Sequence, residues 1–374
     1  MTAQPPGADI QIADADGVAI DAAARLLEAG ELVAFPTETV YGLGADAQNP
    51  EAVRAIYRAK NRPQNHPLIV HLALQADVGY WSDGVDASAQ KLIAAFWPGP
   101  LTLILPRAAH IPHAAAGGQQ SIGLRCPAHP VAQALLRCFQ GGAGGIAAPS
   151  ANRFGHVSPT TAAHVREEFA GSPLVRCVLD GGQSAVGIES TIIDLTRGRP
   201  VLLRPGHIGS NQIAEVLGVL PAAPDAMAPR ASGTHESHYA PATPVAIRKA
   251  DEIAGILAQL DARGWRVALM RLQPPAAGSD ALAFATPAMS AKPVATIDLA
   301  ADPVAYGHDL YAALRRLDHA GADLIIVESL PASTAWHAVT DRLQRAAHGS
   351  TEVLARLLGT DRARFSQSAA SSPE

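Results

Sequence analysis

Several short segments of the sequence carry hydroxyl groups, amides and cations that could bind an anion. Pro36-Thr-Glu-Thr-Val-Tyr-Gly-Leu-Gly44 follows an apolar run, and Arg58-Ala-Lys-Asn-Arg62 ends a predicted helix with three cations. Gly144-Gly-Ile-Ala-Ala-Pro-Ser-Ala-Asn-Arg153 contains a Ser-x-Asn turn. Ligands of open α/β sheets bind beyond the carboxyl ends of strands. Lysine as a point charge and arginine as a planar fork are well suited to phosphate there.

A helix is predicted to begin after the Ser-x-Asn turn. Ser158 would cap it, and Pro159 would occupy its first turn. Because free backbone N–H groups at a helix start bind anions, Ser150, Asn152 and Ser158 could face one phosphate chain. Ordinary capping and an Asx turn explain the same residues without a ligand.

The sequence offers neither a nucleophile motif nor a metal motif. His110/His113 and His235/His238 have a spacing that metals use, but neither pair has a third ligand nearby, so no protein-held metal is predicted. The Walker and Gly-x-Ser-x-Gly patterns are absent. The residues alone therefore predict an anion-binding cleft suited to phosphoryl or nucleotidyl transfer, in which the protein positions groups and stabilises charge.

The elements that must position these segments predict two α/β domains. Strands and helices through residues 10–217 predict an α/β sheet with helical cover. Residues 218–244 are proline-rich and aperiodic, as in a linker, yet they contain two histidines and a tyrosine. Strand–helix alternation over 245–352 predicts a small Rossmann-like parallel domain without a dinucleotide glycine turn. Residues 365–374 are predicted to be a disordered tail.

Composition limits the possible functions. The 374 residues are 48% apolar, which provides for a sizeable core, and the net charge of −5 disfavours tight direct tRNA binding. No apolar run reaches the roughly 18 residues of a membrane span, and no signal peptide is recognisable. The three cysteines have unrelated spacings, which predicts reduced thiols and a cytoplasmic location.

Taken together, the segments resemble the YrdC-type threonylcarbamoyl-AMP synthase family over about residues 10–217. The resemblance implies a YrdC-like twisted mixed sheet with helices for these residues. The linker and second domain resemble the two-domain form of that family. The motifs occur in the family's order: Pro36-Thr-Glu-Thr-Val-Tyr-Gly-Leu, Lys60-Asn-Arg62, His66-Pro-Leu-Ile-Val-His71, Gly123-Leu-Arg-Cys-Pro127, Ser150-Ala-Asn152, Gly187-Ile-Glu-Ser-Thr191, Arg204-Pro-Gly206 and His238-Tyr-Ala-Pro241.

The resemblance implies a reaction and its partners. L-threonine, bicarbonate and ATP would form threonylcarbamoyl-AMP and diphosphate. Separate machinery would then transfer the threonylcarbamoyl group to an adenosine beside the tRNA anticodon. Mg²⁺ is expected to accompany ATP, and the linker is expected to cross the active site.

The resemblance also implies roles for individual residues. Threonine would be held by Thr39, His71, Arg125 and Ser190. ATP would be held by Arg62, His66, Ser150, Ser158, Arg204 and Tyr239. The catalytic residues would be Lys60, Arg62 and Asn152. Two departures stand out: His66 replaces an asparagine found in many members, and a Gly-Met-Lys stretch is missing before His238.

Three alternatives remain open at this point. The first is an RNA-binding, translation-associated module that uses the same concave domain. The second is a carbamoyl-transfer domain of the hydrogenase-maturation type, although the acylphosphatase and zinc-finger segments expected there are missing. The third is a regulatory second domain attached to an inactive first one.

Overall fold

The computed structural model describes residues 12–234, 239–273, 291–360 and 362. Of these, the residues up to Phe154 and Ser158–Thr234 form one unit, while Gly155–Val157 and the residues from Tyr239 onward form a second. The first unit contains a mixed sheet with helices, and the second a parallel sheet with helices. The predicted fold class is confirmed.

The described strands of the first unit form one sheet. Its strands are β1 (Ile12–Asp14), β2 (Leu32–Phe35), β3 (Gly42–Asp46), β4 (Ile69–Leu72), β5 (Leu101–Pro106), β6 (Ser121–Arg125), β7 (Gly145–Ala147), β8 (Val175–Asp180), β9 (Thr191–Asp194) and β10 (Val201–Arg204). Their order is β1-β8-β2-β3-β7-β4-β6-β5-β9-β10. Parallel pairing of β4 with β6 sets His71 opposite Arg125.

Both faces of this sheet are covered. Along β2, Leu32 and Ala34 pack in one hydrophobic cluster, whereas Val33 and Phe35 pack in another. This alternation follows from the two-residue period of a strand. The covering helices are α1 (Gly17–Glu28), α2 (Pro50–Lys60), α3 (Val78–Trp81), α4 (Ala87–Phe96), α5 (Pro130–Cys138), α6 (Ala162–Glu168) and α7 (Ser210–Leu217).

Helix α2 has defined signals at both ends. The Asn49 side chain accepts from the backbone N–H groups of Glu51 and Ala52, and Pro50 takes the first turn. Burial of Ile56 and similar side chains on one face contributes roughly 1.5–3 kcal/mol each. Asn61 ends the helix in the left-handed region with φ 51°, and the chain then turns to bring Arg62 beside the helix end.

The prediction that a helix begins at Ser158 is wrong. Helix α6 begins at Ala162, and the Thr161 side chain caps it by accepting from the N–H of His164. Residues 158–160 lie outside the helix instead, and the Pro159 carbonyl accepts from the N–H of Tyr41 at 2.9 Å. This tertiary hydrogen bond competes with helix initiation, and Thr161 supplies the same capping chemistry three residues later.

The second unit alternates strands and helices, as predicted. Its elements are β11 (Val245–Arg248), α8 (Ala250–Asp261), β12 (Val267–Leu272), β13 (Ala295–Leu299), α9 (Pro303–Asp318), β14 (Leu324–Glu328), α10 (His337–Ala346) and α11 (Ser350–Gly359). The strands are parallel in the order β11-β14-β12-β13. Helix α11 was not predicted. Across the described ranges, no helix is long and apolar enough to cross a membrane.

Candidate active site

Arg125, the last residue of β6, is buried against the loop that joins β2 to β3. Its Nη1 donates to Oγ1 of Thr39 at 2.8 Å, and its Nη2 forms an ion pair with Oε1 of Glu38 at 2.7 Å. Its Nε donates to the Gly99 carbonyl at 3.3 Å. Electrostatic interactions are stronger at a site shielded from water, so this guanidinium could bind a ligand carboxylate tightly.

The β2–β3 loop is fixed by its own hydroxyl groups. Oγ1 of Thr37 donates to the Val40 carbonyl at 2.6 Å and lies 2.8 Å from Oγ1 of Thr39. The Glu38 carbonyl accepts from the N–H of Val186 at 2.7 Å. This last bond fastens the loop to the glycine-rich segment before β9, so two of the predicted binding segments hold each other in place.

His71 lies in β4, opposite Arg125 in the strand register. Its burial, followed by the positive charge of Arg125, lowers the pKa of the imidazole to about 3. Its Nδ1 is buried and has no hydrogen-bond partner among the described residues. A neutral imidazole can orient a polar ligand without adding charge to the pocket.

Arg204, at the end of β10, is hydrogen-bonded to the turn that leads into β9. Its Nε and Nη2 both donate to the Ser190 carbonyl, at 3.0 and 2.9 Å, and Nη2 also reaches Oγ of Ser190 at 3.1 Å. Oγ1 of Thr102 lies 2.8 Å from the same hydroxyl. Nη1 of Arg204 donates to the Ser232 carbonyl at 2.8 Å.

Lys60, the last residue of α2, is 1% exposed. Its Nζ donates to the Ser150 carbonyl at 2.5 Å and also to the Asn152 carbonyl. Burial, with a further contribution from the charge of Arg62, lowers the pKa of this amine well below its usual value. The lysine therefore connects the end of α2 to the Ser-x-Asn turn, as the two motifs would require in one site.

Arg62 lies near Lys60, because its charge contributes to the lowered pKa of that amine. Its Nη2 donates to the Pro67 carbonyl at 3.1 Å and to Oγ of Ser232 at 3.4 Å, and its guanidinium lies 5.8 Å from the centre of the Phe154 ring. The His66 ring lies 5.2 Å from that same phenyl ring. Arg62 and Arg204 thus both contact Ser232, a residue of the predicted linker.

The Ser158 side chain does not cap a helix, although its sequence context suggests that role. Its hydroxyl donates to Oε1 of Glu189 at 2.6 Å, and both residues are buried. Glu189 directly precedes Ser190, so Ser158 is tied to the glycine-rich segment.

The predicted site residues thus fall into two groups within the first unit. Thr39, Arg125 and the register neighbour His71 form one, and Lys60, Arg62, Ser150 and Asn152 form the other. Ser190 and Arg204 contact each other. Ser150 contributes its backbone carbonyl to the described contacts.

Tyr239 belongs to the second unit. Its ring stacks on Tyr311 with centroids 5.6 Å apart and lies 5.3 Å from the guanidinium of Arg342. The other linker candidates, His235 and His238, lie outside the described residues.

The sequence alone assigned no role to Glu38 or to Ser232. Glu38 lies inside the opening motif, and its carboxylate was visible there, but only the structure pairs it with Arg125. Ser232 was visible as the start of an unusually polar linker segment. Its contacts with Arg62 and Arg204 span 170 and 28 residues, respectively, and no local pattern encodes such distances.

The arrangement favours positioning over covalent catalysis. Burial raises the pKa of the Cys126 thiol to about 11, which leaves it protonated. In the part of the chain that the structure describes, no group of three or more His, Cys, Asp or Glu side chains could hold a metal ion. What remains is a set of buried cations and hydroxyl donors that can bind anions and stabilise developing charge.

Two family models match the chain. Residues 25–206 match the Sua5, YciO and YrdC model, which is described as Telomere recombination. Residues 208–348 match the model described as Threonylcarbamoyl-AMP synthase, C-terminal domain.

Individual relatives are similar over most of their length. Threonylcarbamoyl-AMP synthases of Pyrococcus abyssi and Bacillus subtilis are 36% and 38% identical, and each alignment covers 87% of this chain and 92% of the relative. The crystal structure of P. abyssi Sua5 complexed with L-threonine is similar with a TM-score of 0.76 at 34% identity, covering 88% of this chain and 94% of that one. The chain therefore belongs to the threonylcarbamoyl-AMP synthase family, with both of its domains.

Proposed function

We propose that this protein joins L-threonine, bicarbonate and ATP into threonylcarbamoyl-AMP and diphosphate. Two relatives that match most of the chain carry the name of this synthase, and a similar solved structure was obtained with L-threonine. The catalytic domain would span residues 10–217, followed by the linker 218–244 and the second domain 245–352.

One structural observation carries the proposal. A buried arginine suited to a carboxylate, Arg125, shares a unit with the buried cations Lys60, Arg62 and Arg204, which suit a triphosphate. An enzyme that joins an amino acid to a nucleotide needs both kinds of subsite. It needs no protein nucleophile if the amino acid itself supplies the attacking group.

The reaction divides into two balanced steps. The threonine amine attacks bicarbonate, which forms a C–N bond, releases water and leaves an N-carboxylate. An oxygen of that carboxylate then attacks the α-phosphorus of ATP, and the bond to the β-phosphate oxygen breaks. Diphosphate carries away the electron pair of the broken bond, and the product is a mixed carbamic–phosphoric anhydride.

Threonine would bind at the first group of residues. Arg125 would pair with its carboxylate, since a guanidinium matches a carboxylate in two parallel hydrogen bonds. The Thr39 and Ser190 hydroxyls and the neutral His71 imidazole would orient its polar groups. Tertiary contacts already fix these side chains, so little ordering is needed on binding.

ATP would bind at the second group. Arg62, Arg204 and the hydroxyls of Ser150 and Ser158 would contact it, together with His66 and Tyr239. An ammonium has three donors, and Lys60 uses two of them on carbonyls, so one N–H could face the transferring phosphoryl group beside Asn152. The negative charge of ATP would favour this protonated form. Mg²⁺ would arrive bound to the nucleotide, and we assign it no protein ligand.

Burial of the cationic cluster favours the enzyme over an RNA-binding module. Of the three cations in this segment, Lys60 and Arg62 are buried and Arg58 is exposed. A surface that tracks a nucleic-acid backbone needs accessible cations. The cluster is therefore better suited to a small enclosed phosphate ligand.

The product requires a second protein. The mixed anhydride is an activated acyl donor, so machinery that transfers it to a tRNA adenosine must act next. Because ATP and tRNA are both cytoplasmic, we propose that the synthase works in that compartment.

One reaction series tests the proposal. The protein is incubated with L-threonine, labelled bicarbonate, ATP and Mg²⁺, and both diphosphate and labelled adenylate are measured. Both products should appear together and should require all three substrates. Diphosphate release that does not depend on threonine, or the absence of labelled adenylate, would reject the assignment.

A further inference from the structure

Glu38 is the one acidic side chain with an ion pair to Arg125 among the described residues. The side chains of Glu38 and Arg125 are 10% and 4% exposed, so little solvent reaches the pair. Oε1 of Glu38 lies 2.7 Å from Nη2 of Arg125, and Oε2 accepts from the N–H of Ala128 at 3.0 Å. Oε1 is buried and accepts no hydrogen bond among the described residues, so it could accept from a further donor.

The titratable groups beside this pair are neutral at neutral pH. Burial and the charge of Arg125 lower the pKa of His71 to about 3. Burial also lowers the pKa of His129 and raises that of Cys126 to about 11. Arg125 and Glu38 thus form a buried pair of opposite charges beside these three uncharged side chains.

A pair of opposite charges is complementary to a ligand that itself carries both charges. A free α-amino acid carries a carboxylate and an ammonium and has no net charge. Its carboxylate would pair with Arg125, and its ammonium would then need an acceptor close to that arginine. Glu38 is such an acceptor, and it is also held by Ala128 and by the Thr37–Val40 turn.

We propose that Glu38 determines specificity for the zwitterionic amino acid, by accepting from its ammonium and by compensating the charge of Arg125. This inference rests on the proposed function, since it takes L-threonine as the ligand. Without the carboxylate, Arg125 would be uncompensated and would favour an anionic acid that lacks the ammonium.

The test compares two ligands by isothermal titration calorimetry. One is L-threonine, and the other is 2,3-dihydroxybutanoate of the same configuration, in which a hydroxyl replaces the ammonium. The wild-type protein should prefer threonine by roughly 10- to 100-fold, the range expected for one charged hydrogen bond. In Glu38→Gln, binding of threonine should weaken roughly ten-fold or more while the hydroxy acid keeps or gains affinity.

The matched control is Glu51→Gln. Glu51 also pairs with an arginine, Arg54, at 2.5 Å, but its side chain is 73% exposed. The Glu51→Gln variant should bind both ligands with the affinities of the wild type.

Three results would overturn the proposal or its premise. If Glu38→Gln weakened both ligands equally, Glu38 would only hold Arg125 in place. If it left the preference unchanged, Glu38 would have no part in specificity. If wild-type protein did not bind threonine, the proposed function itself would fail. Should Glu38→Gln not fold, the wild-type protein decides: a preference for threonine over the hydroxy acid supports an acceptor for the ammonium, and equal affinity for the two ligands contradicts the proposal.

Discussion

Nζ of Lys60 donates to the backbone carbonyl of Ser150 at 2.5 Å, across 90 positions of sequence. The same amine donates to the Asn152 carbonyl. A lysine predicted to act on phosphate thus also sets the shape of the turn that is predicted to bind it. Lys60 therefore has a structural role in this turn and a proposed catalytic role, and experiments can separate the two.

Lys60→Met should abolish adenylate formation while leaving a folded protein. Methionine fills a similar volume but cannot donate, so buried carbonyls lose a partner at a cost of about 1–3 kcal/mol each. Activity should fall at least about 100-fold, since a positioned cation at a developing charge typically contributes that much. Synthesis of labelled adenylate and urea unfolding measure the two effects.

Lys91→Met is the matched control, because Lys91 is exposed on α4. It should leave activity and stability unchanged. Wild-type rates in Lys60→Met would show that the lysine is only a structural tie.

His71 should make the protein less stable in acid. Its folded pKa of about 3 lies below the ordinary value of 6.5, so the unfolded chain binds more protons between these two values. The neutral imidazole's contribution to stability is therefore complete above pH 6.5 and is lost as the pH falls towards 3. Between pH 6.5 and 5, this histidine alone should cost about 2 kcal/mol.

Urea unfolding at several pH values, with His71→Asn beside the wild type, measures this effect. The difference between the two free energies of unfolding should change by about 2 kcal/mol over that range. The exposed His110 provides the control His110→Asn, whose curve should run parallel to that of the wild type. A parallel curve for His71→Asn would contradict the prediction.

How far the sequence could predict the site depends on the range of the interactions. Both ends of α2 were predictable, because Asn49 and Pro50 mark the start locally and Asn61 marks the end. The start of α6 was not, because Ser158 has the same capping chemistry as Thr161, and its contact with Glu189 decides between them. Sequence periodicity does not encode a hydrogen bond across 31 residues.

The sequence alone also could not decide the role of the cationic cluster at the end of α2. The cluster around Arg58 and Arg62 was compatible with an ordinary helix end or with an anion clamp. The structure separates its members, since Arg58 is exposed whereas Lys60 and Arg62 are buried. The ordinary interpretation therefore suits the first residue, and the functional one suits the other two.

Arg62→Lys should weaken the use of ATP without affecting threonine. Arg62 is buried, its Nη2 donates to Pro67 and Ser232, and its planar guanidinium matches the geometry of a phosphate. A lysine keeps the charge but loses that geometry. KM for ATP should rise roughly ten-fold, and KM for threonine should stay constant.

Arg58→Lys, an exposed arginine of the same helix, should change neither KM. A matching rise in both KM values for Arg62→Lys would indicate a disturbed fold and would contradict a nucleotide-specific role.

Tyr239→Phe tests the proposed role of the linker tyrosine in ATP binding. The ring packs against Tyr311 and Arg342 in the second unit and is almost fully buried. Tyr239→Ala would therefore remove several kcal/mol of packing, and lost activity in that variant would say nothing about ATP. Phenylalanine keeps the packing and removes only the hydroxyl. The free energy of unfolding should therefore change by about 1 kcal/mol or less, while KM for ATP should rise several-fold. The control is Tyr311→Phe, which removes the hydroxyl of the stacking partner and should leave KM for ATP unchanged. If KM for ATP is also unchanged in Tyr239→Phe, Tyr239 serves only the packing of the second unit.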